Sequence, residues 1–212
     1  MVLFDWAIGI LQDLLTFFYG ITSTMNIPNY GIAIILLTLV IKLVLYPLTV
    51  KQVKGMKSMQ DLQPKMKELQ EKYKGNSEKL NKEMAILYKE SGVNPLSGCL
   101  PLIIQMPILM GIFYAIRDYS YAQLPSFLWI ADLSGPDPLY ILPIISAATT
   151  YIQQKQTTTD ANGQAKMMMN LMPIFIGYIS LTFPAGLVLY WVVSNIFQIA
   201  QQWWMYRGAP QK

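Results

Sequence analysis

Ten lysines and six acids fall between residues 51 and 90 and carry the whole net charge of +4. The six basic and six acidic residues elsewhere cancel. A chain divided in this way reads as a neutral apolar body with one basic polar insert. Charged residues make up 13% of the chain and apolar ones 53%, whereas soluble domains average about 25% charged and about 45–50% apolar. The composition therefore points to a small polytopic membrane protein. With no histidine and one cysteine, Cys99, the chain lacks imidazole bases, histidine metal ligands, a Ser-His-Asp triad and an internal disulfide. No cofactor and no metal is expected. The basic insert is interleaved with acids, which argues against nucleic acid as a specific ligand.

Apolar runs of about the required length divide the chain into five transmembrane helices, at 28–50, 95–117, 139–155, 167–183 and 184–206. The expected fold class is thus all-α. Several runs are short: about 17 residues at 1.5 Å each cover roughly 25 Å of a ~30 Å hydrocarbon core, so local thinning of the bilayer is implied. Phe183-Pro184-Ala185-Gly186 places a tight turn between the last two spans, read as antiparallel neighbours. With five spans, residues 51–99, 155–166 and 207–212 share one side with fourteen of the sixteen basic residues. Arg117 stands alone on the other side, in front of an outer loop at 118–138, and Lys42 lies within a span. The positive-inside rule puts the insert and the C-terminus in the cytoplasm and the N-terminus outside.

Residues 1–27 are apolar but carry Asp5, Gly9, Gln12, Asp13, Thr16 and Gly20 every three to four positions. That spacing reads as an amphipathic helix lying on the outer leaflet. A sixth span with buried aspartates is the alternative, opposed by the cost of carboxylates at mid-membrane. A cleaved signal peptide is disfavoured by the acids and the absence of a basic n-region. Within the insert, Met56, Met59, Leu62, Met66, Leu69 and Tyr73 form a helical stripe. Asn76 or Ser77 then opens a second helix bearing Met84, which stops at Ser91-Gly92. The lysine–glutamate alternation on its own is a solvated face. As a unit, the hairpin reads as a docking arm presenting Met56, Met59, Met66 and Met84.

Lys42 is the most informative single residue. It lies about 9–12 Å from the inner end of its span, where a lysine costs at least ~2.5–3.5 kcal/mol. It either snorkels to the interface or faces a water-filled cavity. Gln105, Gln153, Gln154, Ser194, Asn195 and Gln198 supply further polar groups toward the same side. Singly, each reads as an interhelical hydrogen bond; jointly, they read as a half-pore, polar inside and closed outside. No carboxylate falls within the spans, which disfavours an ion-coupled transporter or channel. A purely structural subunit leaves the buried lysine unexplained.

Three segments carry a resemblance: Thr38 to Thr49 in the first span, Asn94 to Pro107 entering the second, and Phe183-Pro-Ala-Gly-Leu-Val-Leu-Tyr-Trp191 followed by Asn195. The chain resembles the YidC-type membrane protein insertases, which include the oxidase-assembly and albino proteins, in a short form without a large extracytoplasmic domain or a long basic tail. The resemblance implies a bacterial inner (plasma) membrane protein with a hydrophilic groove open to cytoplasm and lipid. Lys42 stands where the family carries arginine, keeping the charge but losing the planar fork. The implied groove comprises Lys42, Gln105, Gln153, Gln154, Trp191, Asn195 and Gln198. The implied partners are nascent membrane proteins and membrane lipids; ribosome, signal-recognition machinery and Sec translocon are left open. The implied activity is insertion and chaperoning of membrane proteins, without covalent catalysis.

Overall fold

The computed structural model describes residues 2–94, 100–122, 124–157 and 163–207. Cys99, the segment at 158–162 and the tail beyond Arg207 lie outside the described residues. These fold into nine helices and no strand: α1 (Val2–Thr24), α2 (Tyr30–Val44), α3 (Tyr46–Asp61), α4 (Gln63–Lys72), α5 (Ser77–Glu90), α6 (Leu100–Arg117), α7 (Ile141–Thr157), α8 (Gly163–Ser180) and α9 (Ala185–Arg207).

Local chemistry sets the boundaries. Asn29 opens α2 by accepting a hydrogen bond from the Ile32 amide at 3.1 Å. The helix then breaks at Leu45, where Pro47 follows in the first turn of α3, and the two axes bend by 66°. A second proline, Pro64, accompanies the break at Leu62 between α3 and α4. The methionine stripe, expected to lie on one helix, is therefore divided between two. Asn76 caps α5 through the Lys79 amide at 3.0 Å. Gly92 ends it at φ +64°, with Gly92 N–H bonding to the Lys89 carbonyl and Val93 N–H to that of Tyr88. α4 and α5 pack against each other as a hairpin; α3, which the expected hairpin at 51–94 included in its first helix, is the bent continuation of α2.

No single helix among the described residues is long and apolar enough to cross a membrane, although α2 and α3 meet that measure as a bent pair. The reason is compositional in α9, which has 23 residues but carries Asn195, Gln198, Gln201 and Gln202 along its second half.

α9 is the hub, packing against α2, α6 and α7. α8 leans on α7 more than on α9, its neighbour across the turn at 181–184. Small groups let α7 and α8 approach: a Cβ on Gly177 would come within 3.0 Å of Ala147 Cβ, and Ser146 and Ser180 share a hydrogen bond at 3.0 Å. α1 packs on α2 and α6; Leu15 is fully buried, Leu11 and Leu14 pack against the core beside it, and Phe17 is exposed. Between α1, α2 and α6 runs an open apolar crevice of about 640 Å³, lined by residues such as Ile10, Leu14, Ile41 and Pro107.

Candidate functional site

The two ends of the bundle differ in kind. At the Tyr30 end, the first turns of α2 and α9 and the last turns of α6 bury Tyr30, Ile34, Leu37, Ile112, Ile116, Leu187 and Val188. Tyr30 stacks on Tyr19 at 4.0 Å and meets Tyr121 edge-on at 4.8 Å. Its hydroxyl accepts the Ala122 amide at 2.9 Å. Tyr121 donates to the Ile116 carbonyl at 2.9 Å, and burial pushes its phenol well above the usual tyrosine range.

The segment at 118–138, read from sequence only as a loop, folds over this end. Phe127 and Ile130 pair through two backbone hydrogen bonds, and Ile130 and Leu133 are fully buried. The Leu133 and Gly135 carbonyls accept the first amides of α9, Gly186 at 2.9 Å and Ala185 at 2.6 Å, satisfying donors that a helix start leaves free. Asp137, 2% exposed, gathers Trp129 Nε1 at 3.0 Å and the amides of Leu139 at 3.1 Å and Leu142 at 2.7 Å. Gly31 leaves room for the Phe127 ring, which a Cβ there would overlap. The apolar residues at 127–130 were the available signal for this plug.

At the other end the buried side chains are polar. Lys42 is 7% exposed and its Nζ donates to Gln198 Oε1 at 3.5 Å; among the described residues it has no ion-pair partner. Asn195 Nδ2 donates to Thr149 Oγ1 at 3.2 Å and to Thr150 Oγ1 at 3.0 Å. Trp191 Nε1 donates to Thr150 Oγ1 at 3.1 Å. Gln105 Nε2 donates to the Tyr190 hydroxyl at 3.1 Å. Gln153 and Gln154 are half-buried on the last turns of α7.

Lys42 and Gln105 thus bond to side chains of α9, and Trp191 and Asn195 tie α9 to α7, at successive levels along that helix. Tyr190, the partner of Gln105, lies eight residues from Gln198, about 12 Å along the helix. Asn195 and Trp191 are satisfied interhelical contacts that tie α9 to α7. Lys42 and Gln198 are the pair with capacity left, since an ammonium has three donors and only one is used here. Thr149, Thr150 and Tyr190 went unremarked in the sequence because threonine and tyrosine within apolar runs read as ordinary packing.

The sequence model of the 60Kd inner membrane protein family matches residues 21–212. The chain belongs to that family. Among its relatives, a membrane protein insertase YidC from Geobacter sp. (strain M21) is 50% identical over 176 residues, 82% of this chain and 33% of that protein. A membrane protein insertase YidC 2 from Bacillus anthracis is 48% identical over 200 residues, covering 91% of this chain and 76% of the relative. A solved structure described as an active YidC insertase with the first transmembrane domain resolved matches at TM-score 0.73 and 31% identity, covering 92% of this chain and 46% of that one. The chain thus has a YidC-like fold and spans about a third of the length of the Geobacter relative.

Within this family member, the α9 polar stripe runs further than the sequence reading took it. Ser194 is 3% exposed, Gln201 8% and Gln202 fully buried. Among the described residues, neither amide atom of Gln201 or of Gln202 has a hydrogen-bond partner, although a buried polar group left unpaired costs about 1–3 kcal/mol. Gln52, on the inner face of α3, is 6% exposed. Gln60 Nε2 reaches the Gln156 carbonyl at 3.3 Å and ties α3 to the last turn of α7. The methionines divide as well: Met56 is buried at 7% exposure, whereas Met59, Met66 and Met84 are half-buried, with Tyr88 donating to Met66 Sδ at 3.8 Å.

Proposed function

We propose that this chain is a membrane protein insertase that accepts the polar segment of a small membrane protein at the Lys42 end of the bundle and releases its apolar helix into lipid. The observation that carries the reading is a buried lysine with one hydrogen bond and no carboxylate among the described residues, in a chain of the 60Kd inner membrane protein family.

The physics is that of shortened desolvation. Moving a polar segment through hydrocarbon is costly, and a polar site partway across shortens the apolar path. Five spans, with α1 on the outer leaflet and the insert and C-terminus in the cytoplasm, set the frame. Lys42 attracts substrate carboxylates more strongly there than in water because the surroundings are less polar. The plug at 118–138 closes the outer end. The α4–α5 hairpin meets substrate first through Met59, Met66 and Met84; contact through Met56 requires α3 to lift. Transfer then runs downhill as the substrate's apolar helix enters the bilayer, with no covalent step. Nascent membrane proteins and lipid are the partners, and ribosome, signal-recognition and Sec contacts fit the same arm.

The test is insertion by the purified chain in liposomes, read as protease protection of a small membrane protein with an acidic tail. Lys42→Met lowers the protected fraction about tenfold, the effect of one charge-assisted bond, and Lys42→Arg retains most of it. Equal protection by wild type and Lys42→Met would remove the lysine from the mechanism.

A further inference from the structure

Two buried glutamines have no part in the helix contacts described above. Gln201 and Gln202 follow Gln198 by three and four residues, one turn or about 5–6 Å further along α9. They are 8% and 0% exposed, and both atoms of both amides lack a hydrogen-bond partner among the described residues. Their neighbours on the same helix do not share this condition: Asn195 and Trp191 are bonded to α7, and Gln198 accepts from Lys42. The amide oxygens of Gln63, Gln154 and Gln156 are buried without a hydrogen bond as well, but only Gln201 and Gln202, in the last turns of α9 beyond the lysine, leave both amide atoms so among the described residues.

We infer that Gln201 and Gln202 form a binding step for the main chain of an extended polypeptide, distinct in chemistry from the charge site at Lys42. This deepens the insertase reading and rests on it. A glutamine amide offers a donor and an acceptor side by side, and each non-proline residue of an extended chain presents one N–H and one C=O. Two adjacent amides can therefore pair with successive peptide groups whatever the side chains are. A segment approaching hydrocarbon loses water from those same groups, so amide partners at the Lys42 end of the bundle offset that loss. Lys42 selects carboxylates and the glutamine step does not select. Its ligand class is unfolded main chain of any charge.

The two roles separate experimentally. Two small membrane proteins that differ only in the tail, one acidic and one of neutral serine and asparagine, are presented to the full chain in liposomes. Melting temperature is measured on the same preparations. The variant Gln201→Met/Gln202→Met replaces the amides with unbranched apolar side chains of similar length. It is expected to insert both tails about tenfold less well than wild type, with a melting temperature equal to or above wild type, because unpaired buried amides are removed. Lys42→Met, by contrast, affects the acidic tail alone. A lower melting temperature for the glutamine variant would mean that the amides are satisfied within the folded protein, by water or otherwise, and overturns the inference. Unchanged insertion of either tail, or a loss confined to the acidic one, overturns it as well. If wild type inserts neither tail, the insertase reading fails with it. If wild type inserts both and the glutamine variant matches it, only the main-chain step is lost.

Discussion

α2 and α9 each have two ends, and those ends are built on opposite principles. At the Tyr30 end apolar side chains interlock, four tyrosines cluster, and Asp137 gathers three donors. At the Lys42 end, beside the bonded Asn195 and Trp191, the buried groups include an ammonium with one bond and, among the described residues, two glutamines with none. Satisfied polar groups and dense packing stabilise a fold; unsatisfied ones weaken it and are available to something else. The comparison teaches that stability and binding capacity are segregated along the same helices.

The largest expected effect breaks the packed end. Asp137→Ala strands an indole N–H and two backbone amides, and is expected to cost about 3 kcal/mol, read as a fall in melting temperature. If the loss is small, the 118–138 plug is not a stabilising element. Gly31→Val forces a side chain into the Phe127 ring and is expected to cost about 2 kcal/mol in the same measurement. Both leave the chemistry of the lysine end intact, so insertion per folded molecule is expected to be unchanged.

At the other end the sign differs. Lys42→Met relieves the burial of a charge, so the melting temperature is expected not to fall, even as insertion of acidic tails drops. A fall of several degrees would show the lysine to be a structural contact and would erase the contrast between the two ends. The smallest effect is on the arm: Lys82 and Glu78 pair at 2.8 Å but are 72% and 81% exposed. Lys82→Ala is expected to move the melting temperature by no more than about 1–2 °C.

Much of this was legible in residues. Net charge confined to 51–90, Asn76 as a helix start, Gly92 as a helix stop, and Lys42 among apolar neighbours all led to the observed elements. Polarity within an apolar run marked Asn195 and Gln198, and one helical turn further stand Gln201 and Gln202. What it could not show was partnership. Asn195 and Gln202 have the same kind of side chain on the same helix, yet two threonines of α7 bond to one and no described residue bonds to the other. Such differences arise from how distant helices register, which no local pattern records. The bend at Leu45 had its proline in view, but the direction of α3 depends on what it packs against. The plug was missed because its order comes from long-range bonds to the start of α9, not from a repeating pattern within 118–138.

The most direct test of the contrast is a photo-crosslinking side chain placed at Gln105, beside the polar stripe, and separately at Phe127, in the packed plug. Each is irradiated with a stalled acidic-tailed substrate engaged. The account predicts substrate adducts from position 105 and none from 127. Equal substrate adducts at both positions, or adducts with lipid alone at 105, would contradict it.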